Sequence, residues 1–310
     1  MPDFIDYLNG EFLPHSQCMI SVGDRGFGGD AVFDVERTFD GKIFKLDEHL
    51  DRLYRSLKYV RIDPGMTKED MAKITLEVVR LNEQFRGSGD FSVSQRITRG
   101  VPAGGTTGRT NAVLDPVRPT VHINVYYPPF RRYAHLQEFG IHAMFTRTRG
   151  YHAAALDPKV KHLSRLNFTM AMLEVVDSDP EAWPVLLDHN GNIAEGVGGN
   201  FFLVTDGVIR TPTDGAVLQG ISRQTVLELA RTLGIPVIEE DLQPYDAYNA
   251  DEVFISGTSH SMIPVSKVDF RPLQQSVPGP IFQQLMAAWD ELVGLDIVEQ
   301  ARNMAKSLPE

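Results

Sequence analysis

Residues 192–202, Asn192-Ile193-Ala194-Glu195-Gly196-Val197-Gly198-Gly199-Asn200-Phe201-Phe202, set a single carboxylate in a run that is otherwise small or apolar. So many small residues suggest a backbone that passes close to something. A carboxylate there needs a partner, because an isolated buried charge is expensive. Two readings stay open: a glutamate exposed at a hairpin end, or one paired with an N–H of a cofactor ring. Asn190-Gly191 just ahead predicts a hairpin turn, and Phe201 to Thr205 reads as the next strand, closed by a turn at Asp206-Gly207.

Working outward, a helix is expected from Ile221 to Leu233, ended by Gly234. Strand-like Glu252 to Ser256 and Ile263 to Val268 then precede a last helix, about Pro280 to Leu292. Upstream, a strand runs from Gly140 to Thr146 and a helix follows Lys161. Asn9-Gly10 and Asp40-Gly41 predict hairpins between Phe4–Leu8 and Glu11–Leu13, and between Val32–Phe39 and Lys42–Leu46. Asp47 reads as the N-cap of a helix patterned on Leu46, Leu50, Leu53, Tyr54 and Leu57. A second helix spans Thr67 to Gln84, and strands follow at Phe91–Arg99 and Val121–Tyr127, separated by a long Gly, Thr and Pro-rich stretch from Gly100 to Pro119. Pro128-Pro129 suggests a linker at 129–138 between a smaller domain, 1–128, and a larger one, 139–310. The fold class is α+β (mixed α/β).

With 310 residues, 42% of them hydrophobic, the chain can bury a sizeable core. Its net charge of -11 gives no general attraction for nucleic acid or an anionic membrane. A bound phosphate therefore needs a local site. One cysteine, Cys18, allows neither an intrachain disulfide nor a cysteine cluster around a metal, and no metal is expected. No basic leader with an apolar stretch and no run of about 18 apolar residues occurs; a cytoplasmic location is expected. H-E-x-x-H, G-x-G-x-x-G and G-x-S-x-G are absent, which removes recognisable zinc-hydrolase, dinucleotide and serine-hydrolase readings.

Leu218-Gln219-Gly220-Ile221-Ser222-Arg223 opens a well-patterned helix, whose first N–H groups and dipole suit an anion. Simple capping accounts for those residues equally well. Gly257-Thr258-Ser259 after a strand is similar in kind. Only nine lysines occur against twenty-one arginines, and Asp157-Pro158-Lys159-Val160-Lys161-His162-Leu163 holds two of the four beyond Lys73. A lysine that forms an imine must be unprotonated, which burial or a cationic neighbour brings about. Arg52, in Glu48-His49-Leu50-Asp51-Arg52-Leu53, can reach a phosphate with its planar fork or make a surface ion pair.

The order and spacing of these segments resemble the class IV aminotransferases, over roughly residues 4 to 295. Gly29-Asp30-Ala31-Val32-Phe33, Lys161 to Asn167, Glu195-Gly196 with Asn200-Phe201-Phe202, Leu218 to Arg223 and Gly257-Thr258 carry the likeness. The resemblance implies a two-domain D-amino acid aminotransferase-like (fold type IV) enzyme. Its cofactor would be pyridoxal 5′-phosphate (PLP), bound as a Schiff base to Lys161, which would shuttle the proton at the substrate Cα. Glu195 would pair with the ring nitrogen, while Arg52, the Ile221 and Ser222 N–H groups, the Ser222 hydroxyl and Thr258 would hold the phosphate. It also implies a homodimer and ping-pong transfer between an amine or amino acid and a 2-oxo acid. Strand alternation does not separate Lys161 from Lys159; the family spacing does.

For the substrate, Phe33, Val35, Arg37, Ser92, Ser94, Ser259 and His260 are the candidate pocket residues. Val35 stands where branched-chain enzymes usually carry glycine, and resembles (R)-selective amine transaminases more closely. Ser92 and Ser94 depart from both groups. Arg37 suits a substrate carboxylate, or is a structural charge against Glu36 or Asp34; His260 narrows the pocket or simply packs. The expectation is a transaminase for (R)-amines or D-amino acids, with a branched-chain L-amino acid aminotransferase and an aminodeoxychorismate lyase as alternatives.

Overall fold

The computed structural model describes residues 2–102, 117–273 and 277–307. Most of the stretch from Gly100 to Pro119 therefore lies outside the described residues. The chain divides into two compact units, Met1–Pro128 with Val160–Arg165, and Pro129–Lys159 with Leu166–Glu310. Both helices and sheets are present, so the mixed α+β expectation holds.

The first unit contains strands β1 (Ile5–Leu8), β2 (Glu11–Pro14), β3 (Ala31–Phe39), β4 (Lys42–Ile43), β5 (Ser92–Pro102) and β6 (Val117–Tyr126), with helices α1 (Leu46–Val60) and α2 (Lys68–Arg86). The sheet order is β2-β1-β6-β5-β3-β4, antiparallel throughout. One face carries the apolar core: Val32, Val93, Ile97, Ile123 and Val125 pack with Leu50, Leu53 and Leu57 of α1 and Met71 and Val78 of α2. Asp47 is not the N-cap of α1. Two residues past β4 the left-handed Lys45 (φ 50°) is the N-cap, so the helix starts at Leu46 and Asp47 falls in its first turn, where the dipole favours it. In α2, by contrast, the Thr67 side chain caps the Asp70 N–H.

The second unit comprises α3 (Phe130–Phe139), β7 (Ile141–Arg149), α4 (Leu166–Val176), β8 (Trp183–Leu187), β9 (Ile193–Gly196), β10 (Gly199–Thr205) and β11 (Val208–Thr211). Then come α5 (Ile221–Thr232), β12 (Val237–Glu239), α6 (Pro244–Tyr248), β13 (Glu252–Gly257), β14 (Ser261–Val268), β15 (Arg271–Pro272), α7 (Pro280–Val293) and α8 (Ile297–Ser307). Along β10-β13-β14-β7-β8-β9 the last strand pairs back onto the first, so six strands close into a ring. Phe201, Leu203, Ile255 and Ile263 belong to the core cluster of this unit, whereas Phe202 and Phe254 stack on each other at 4.9 Å and Phe282 of α7 meets Phe254 edge-on.

Residues 129–138 are not an extended linker: Pro129 is the N-cap of α3, whose Phe130 and Ala134 pack against Ala301 and Met304 of α8. Nor is α7 the last helix. Gly294 ends it in a left-handed turn, and the chain re-enters a helix three residues later.

Candidate functional site

In the first unit, pleating sends Asp34 and Glu36 of β3 toward the helices and Phe33, Val35 and Arg37 the other way. That alternation removes Arg37 from Asp34 and Glu36, its expected structural partners; the guanidinium instead lies 4.5 Å from the Phe39 ring, with Arg37 only 2% exposed. Asp34 is fully buried and meets His49 and Arg52 of α1. Arg52 donates to both its carboxylate oxygens, at 2.9 and 2.6 Å, and His49 Nδ1 lies 2.8 Å from Oδ1. Burial alone would raise the Asp34 pKa, but Arg52 and His49 outweigh it and hold the carboxyl well below its ordinary value. Burial keeps the His49 imidazole below its usual value against the pull of Asp34.

Residues 160–164 lie along the first half of β3. Phe33 N–H donates to the Lys161 carbonyl, Leu163 N–H to that of Ala31, and Val32 bridges His162. The Lys161 N–H donates to the Ser56 hydroxyl at 3.2 Å. These bonds hold the lysine with β3 and α1, and its ammonium nitrogen sits 4.6 Å from the Phe33 ring centroid, with the Arg165 guanidinium 5.7 Å from the same ring. Lys159, two residues away, pairs with Asp157 at 3.0 Å and belongs to the other unit. The imidazole of His162 is pushed down to about 4 by burial and by Arg165.

Across the face turned from the helices, the register runs Phe33–Arg96–His122, Val35–Ser94–Asn124 and Arg37–Ser92–Tyr126. Ser92 and Ser94 are wholly buried, and the Ser94 hydroxyl donates to the Asp34 carbonyl. Arg96 donates to Asn124 Oδ1 at 2.8 Å, and among the described residues no carboxylate forms an ion pair with it. Sequence reasoning missed Arg96 and Asn124, although the period of two that groups Ser92 with Ser94 continues directly to residue 96.

In the second unit, a tight turn at Val197-Gly198 (Gly198 φ 84°) folds β9 onto β10 and places Glu195 opposite Asn200, itself opposite Ser256. Glu195 Oε2 accepts from the Leu218 N–H at 3.2 Å, while Asn200 Nδ2 donates to the Leu218 carbonyl at 2.9 Å. Both ends of one peptide segment are thereby pinned just before α5. Gly220 is the N-cap of α5 and supplies no side-chain cap; a Cβ there would overlap Asn200 Oδ1. The N-terminus of a twelve-residue helix is thus left to Ile221 and Ser222, both buried. Its leading N–H groups need an acceptor, as a bound anion would supply. Thr258 and Ser259 form the turn from β13 to β14, closed by the Gly257–Ser261 pair. His260 is 3% exposed with its ring edge-on to Tyr133 and Trp183, and packs in this unit's interior.

Comparison with known proteins follows the same segments. Residues 31–268 match the model of the family described as amino-transferase class IV. The "Putative branched-chain-amino-acid aminotransferase" of Methanocaldococcus jannaschii is 37% identical over 92% of this chain and 95% of its own. A D-alanine aminotransferase of Bacillus licheniformis is 29% identical over 91% and 94%. A solved T.th. branched-chain amino acid aminotransferase, complexed with N-(5'-phosphopyridoxyl)-L-glutamate, superposes with a TM-score of 0.83 at 26% identity, covering 95% of each chain.

Proposed function

The chain belongs to the class IV aminotransferases and is a PLP-dependent transferase, and from that premise we propose that Lys161 is its cofactor lysine and that it acts on D-amino acids or (R)-amines. The observation carrying the assignment is the Lys161 ammonium nitrogen held over Phe33, beside the buried Asp34–Arg52–His49 network. When bound, PLP supplies an electron sink for the carbanion at the substrate Cα. Lys161 would hold the cofactor and would carry the proton at Cα. Glu195, its carboxylate oriented by the Leu218 N–H, would face the ring nitrogen and favour its protonated form. The Ile221 and Ser222 N–H groups, the Ser222 hydroxyl and Thr258 would receive the phosphate, and Arg52, oriented by Asp34, would add positive charge.

Val35 supports the D-amino acid or (R)-amine reading, since its branched side chain occupies the middle of the Phe33–Arg37 row. Arg96, fixed by the neutral Asn124, is better suited than Arg37 to meet the carboxylate of the 2-oxo acid. Arg96→Met should then raise KM for the oxo acid while sparing that for a donor without a carboxylate; an unchanged KM rejects the role. The second reading, a branched-chain L-amino acid donor, is favoured by the 37% identical relative. We place the enzyme in the cytoplasm as a homodimer, a reading supported by exposed Leu166, Met170 and Leu173 on α4; mass measurement in solution tests the assembly.

The deciding experiment follows the visible cofactor band of PLP-loaded protein on separate additions of (R)-1-phenylethylamine, D-alanine and L-leucine. Loss of the band with (R)-1-phenylethylamine or D-alanine, and its return with a 2-oxo acid, is the expected result. Faster reaction with L-leucine selects the second reading. A cofactor unresponsive to all three overturns transamination and leaves the lyase chemistry.

A further inference from the structure

We propose that Asp6, Cys18 and His122 form a binding site for a borderline divalent cation such as zinc, with His15 bonded to Asp6 beside it and orienting its carboxylate. The site is unrelated to the transamination residues. One ligand atom from each of Asp6, Cys18 and His122 lies within 4.8 Å of the others, and His15 Nδ1 and His122 Nε2 are each 2.8 Å from Asp6 Oδ2.

Strand register and one tight turn bring these groups together. Leu8 of β1 pairs with His122 of β6, so Asp6, two residues along β1, projects on the same face as His122. After β2 the chain makes a 3-10 turn, His15–Gln17. The Cys18 N–H donates to the His15 carbonyl, which turns the chain back and sets Cys18 near Asp6 and His122. Asp3 clamps the turn from outside by accepting from the Ser16 N–H and hydroxyl, and the His15 N–H donates to the Phe4 carbonyl at 2.7 Å.

The second, independent observation is Asp6 itself. Its carboxylate is completely buried, and Oδ1 has no hydrogen-bond partner although Oδ2 has two. An ionised oxygen left so is costly, and a cation coordinated there relieves it. Thiolate, imidazole and carboxylate together are the donor set of tetrahedral zinc, at bond lengths of about 2.0–2.3 Å. Coordination breaks the Cys18 S–H bond and releases that proton to solvent, while the His122 proton moves to the other ring nitrogen. Because coordination releases the thiol proton, binding strengthens as pH rises. The other clustered group, Asp34, Glu36 and His49, already has its cation in Arg52 and is no comparable site.

The test uses PLP-loaded, untagged full-length protein with zinc(II) and cobalt(II) as probes. Equilibrium dialysis should give one zinc per chain, and cobalt a thiolate charge-transfer band. Cys18→Ser should abolish that band and weaken zinc binding at least about tenfold, with turnover unchanged. His15, whose side chain is 61% exposed, gives a variant that spares the fold: His15→Ala should also weaken binding. Zinc affinity unaltered in both variants, or no stoichiometric binding by the parent, overturns the site.

Discussion

The lysine-bearing region of the first unit and the glycine-lined region of the second are built by opposite means. Around Lys161 the structure relies on side chains: a carboxylate clasped by Arg52 and His49, an aromatic ring under the amine, a serine on the backbone. Around Gly220 it relies on the main chain, with a helix N-terminus that no side chain caps and Asn200 filling the space a Cβ would need. The first region should therefore fail when a functional group is removed, and the second when one is added.

The largest effect expected is at Lys161. With Lys161 proposed to carry the proton at Cα, Lys161→Ala should remove turnover, while Lys159→Ala, which loses the pair with Asp157, should keep most of it. Equal losses in steady-state assays would show that the two lysines are wrongly distinguished. Next in size, Asp34→Ala leaves Arg52 buried without its partner, a change that costs about 3–5 kcal/mol in comparable buried pairs; chemical denaturation measures it. The carboxyl's pKa lies below its ordinary 3.8, so its contribution is full above that value and fades as pH falls toward the folded one. A parent protein with no loss of stability on acidification through that range would contradict the pairing.

On the opposite side of the comparison, Gly220→Ala forces a methyl group against Asn200 Oδ1. Overpacking of this kind costs typically about 1–3 kcal/mol, and the displaced helix N-terminus should lower PLP affinity. Ser222→Ala, which removes a hydroxyl but no backbone N–H, should lower it less. The reverse order in a PLP titration would mean that the hydroxyl, not the backbone, carries the phosphate.

The smallest effect concerns Glu36, buried beside the same network. Burial and then Asp34 raise its pKa well above the ordinary 4.5, and neither carboxyl oxygen has a hydrogen-bond partner. For an acid with a raised folded pKa, stability is fullest below 4.5 and declines as pH climbs toward the folded value. Glu36→Gln should abolish that decline, gaining on the parent near neutrality but not at pH values below the ordinary 4.5. A uniform loss of stability at every pH would reject the neutral-acid reading.

Much of this is readable from spacing. Period-two strands and the Asn-Gly and Asp-Gly turns place β1 to β3 and β10, whereas the Val197-Gly198 turn that sets Glu195 opposite Asn200 reads in sequence only as small residues close to something. Other features depend on pairings far apart in the chain. The clasp of Arg52 on Asp34 is not legible because the two lie 18 residues apart and the approach of α1 to β3 is not written locally. Helix α3 is hidden by Pro128-Pro129, which suggests a break although proline is well placed where a helix begins. Helix α8 is hidden behind Gly294; its Ala301 and Met304, three residues apart, become a recognisable stripe only once α3 is there to receive them. Lys161 and Lys159 alternate identically in sequence, and only the hydrogen bonds from Phe33 and to Ser56 set one of them beside β3.

The identity of that lysine is the centre of the account. Reducing PLP-loaded enzyme with borohydride and mapping the modified peptide by mass spectrometry tests it without any mutation. A pyridoxyl group on Lys161 is the result the structure predicts; one on Lys159, with Lys161 unmodified, would contradict it.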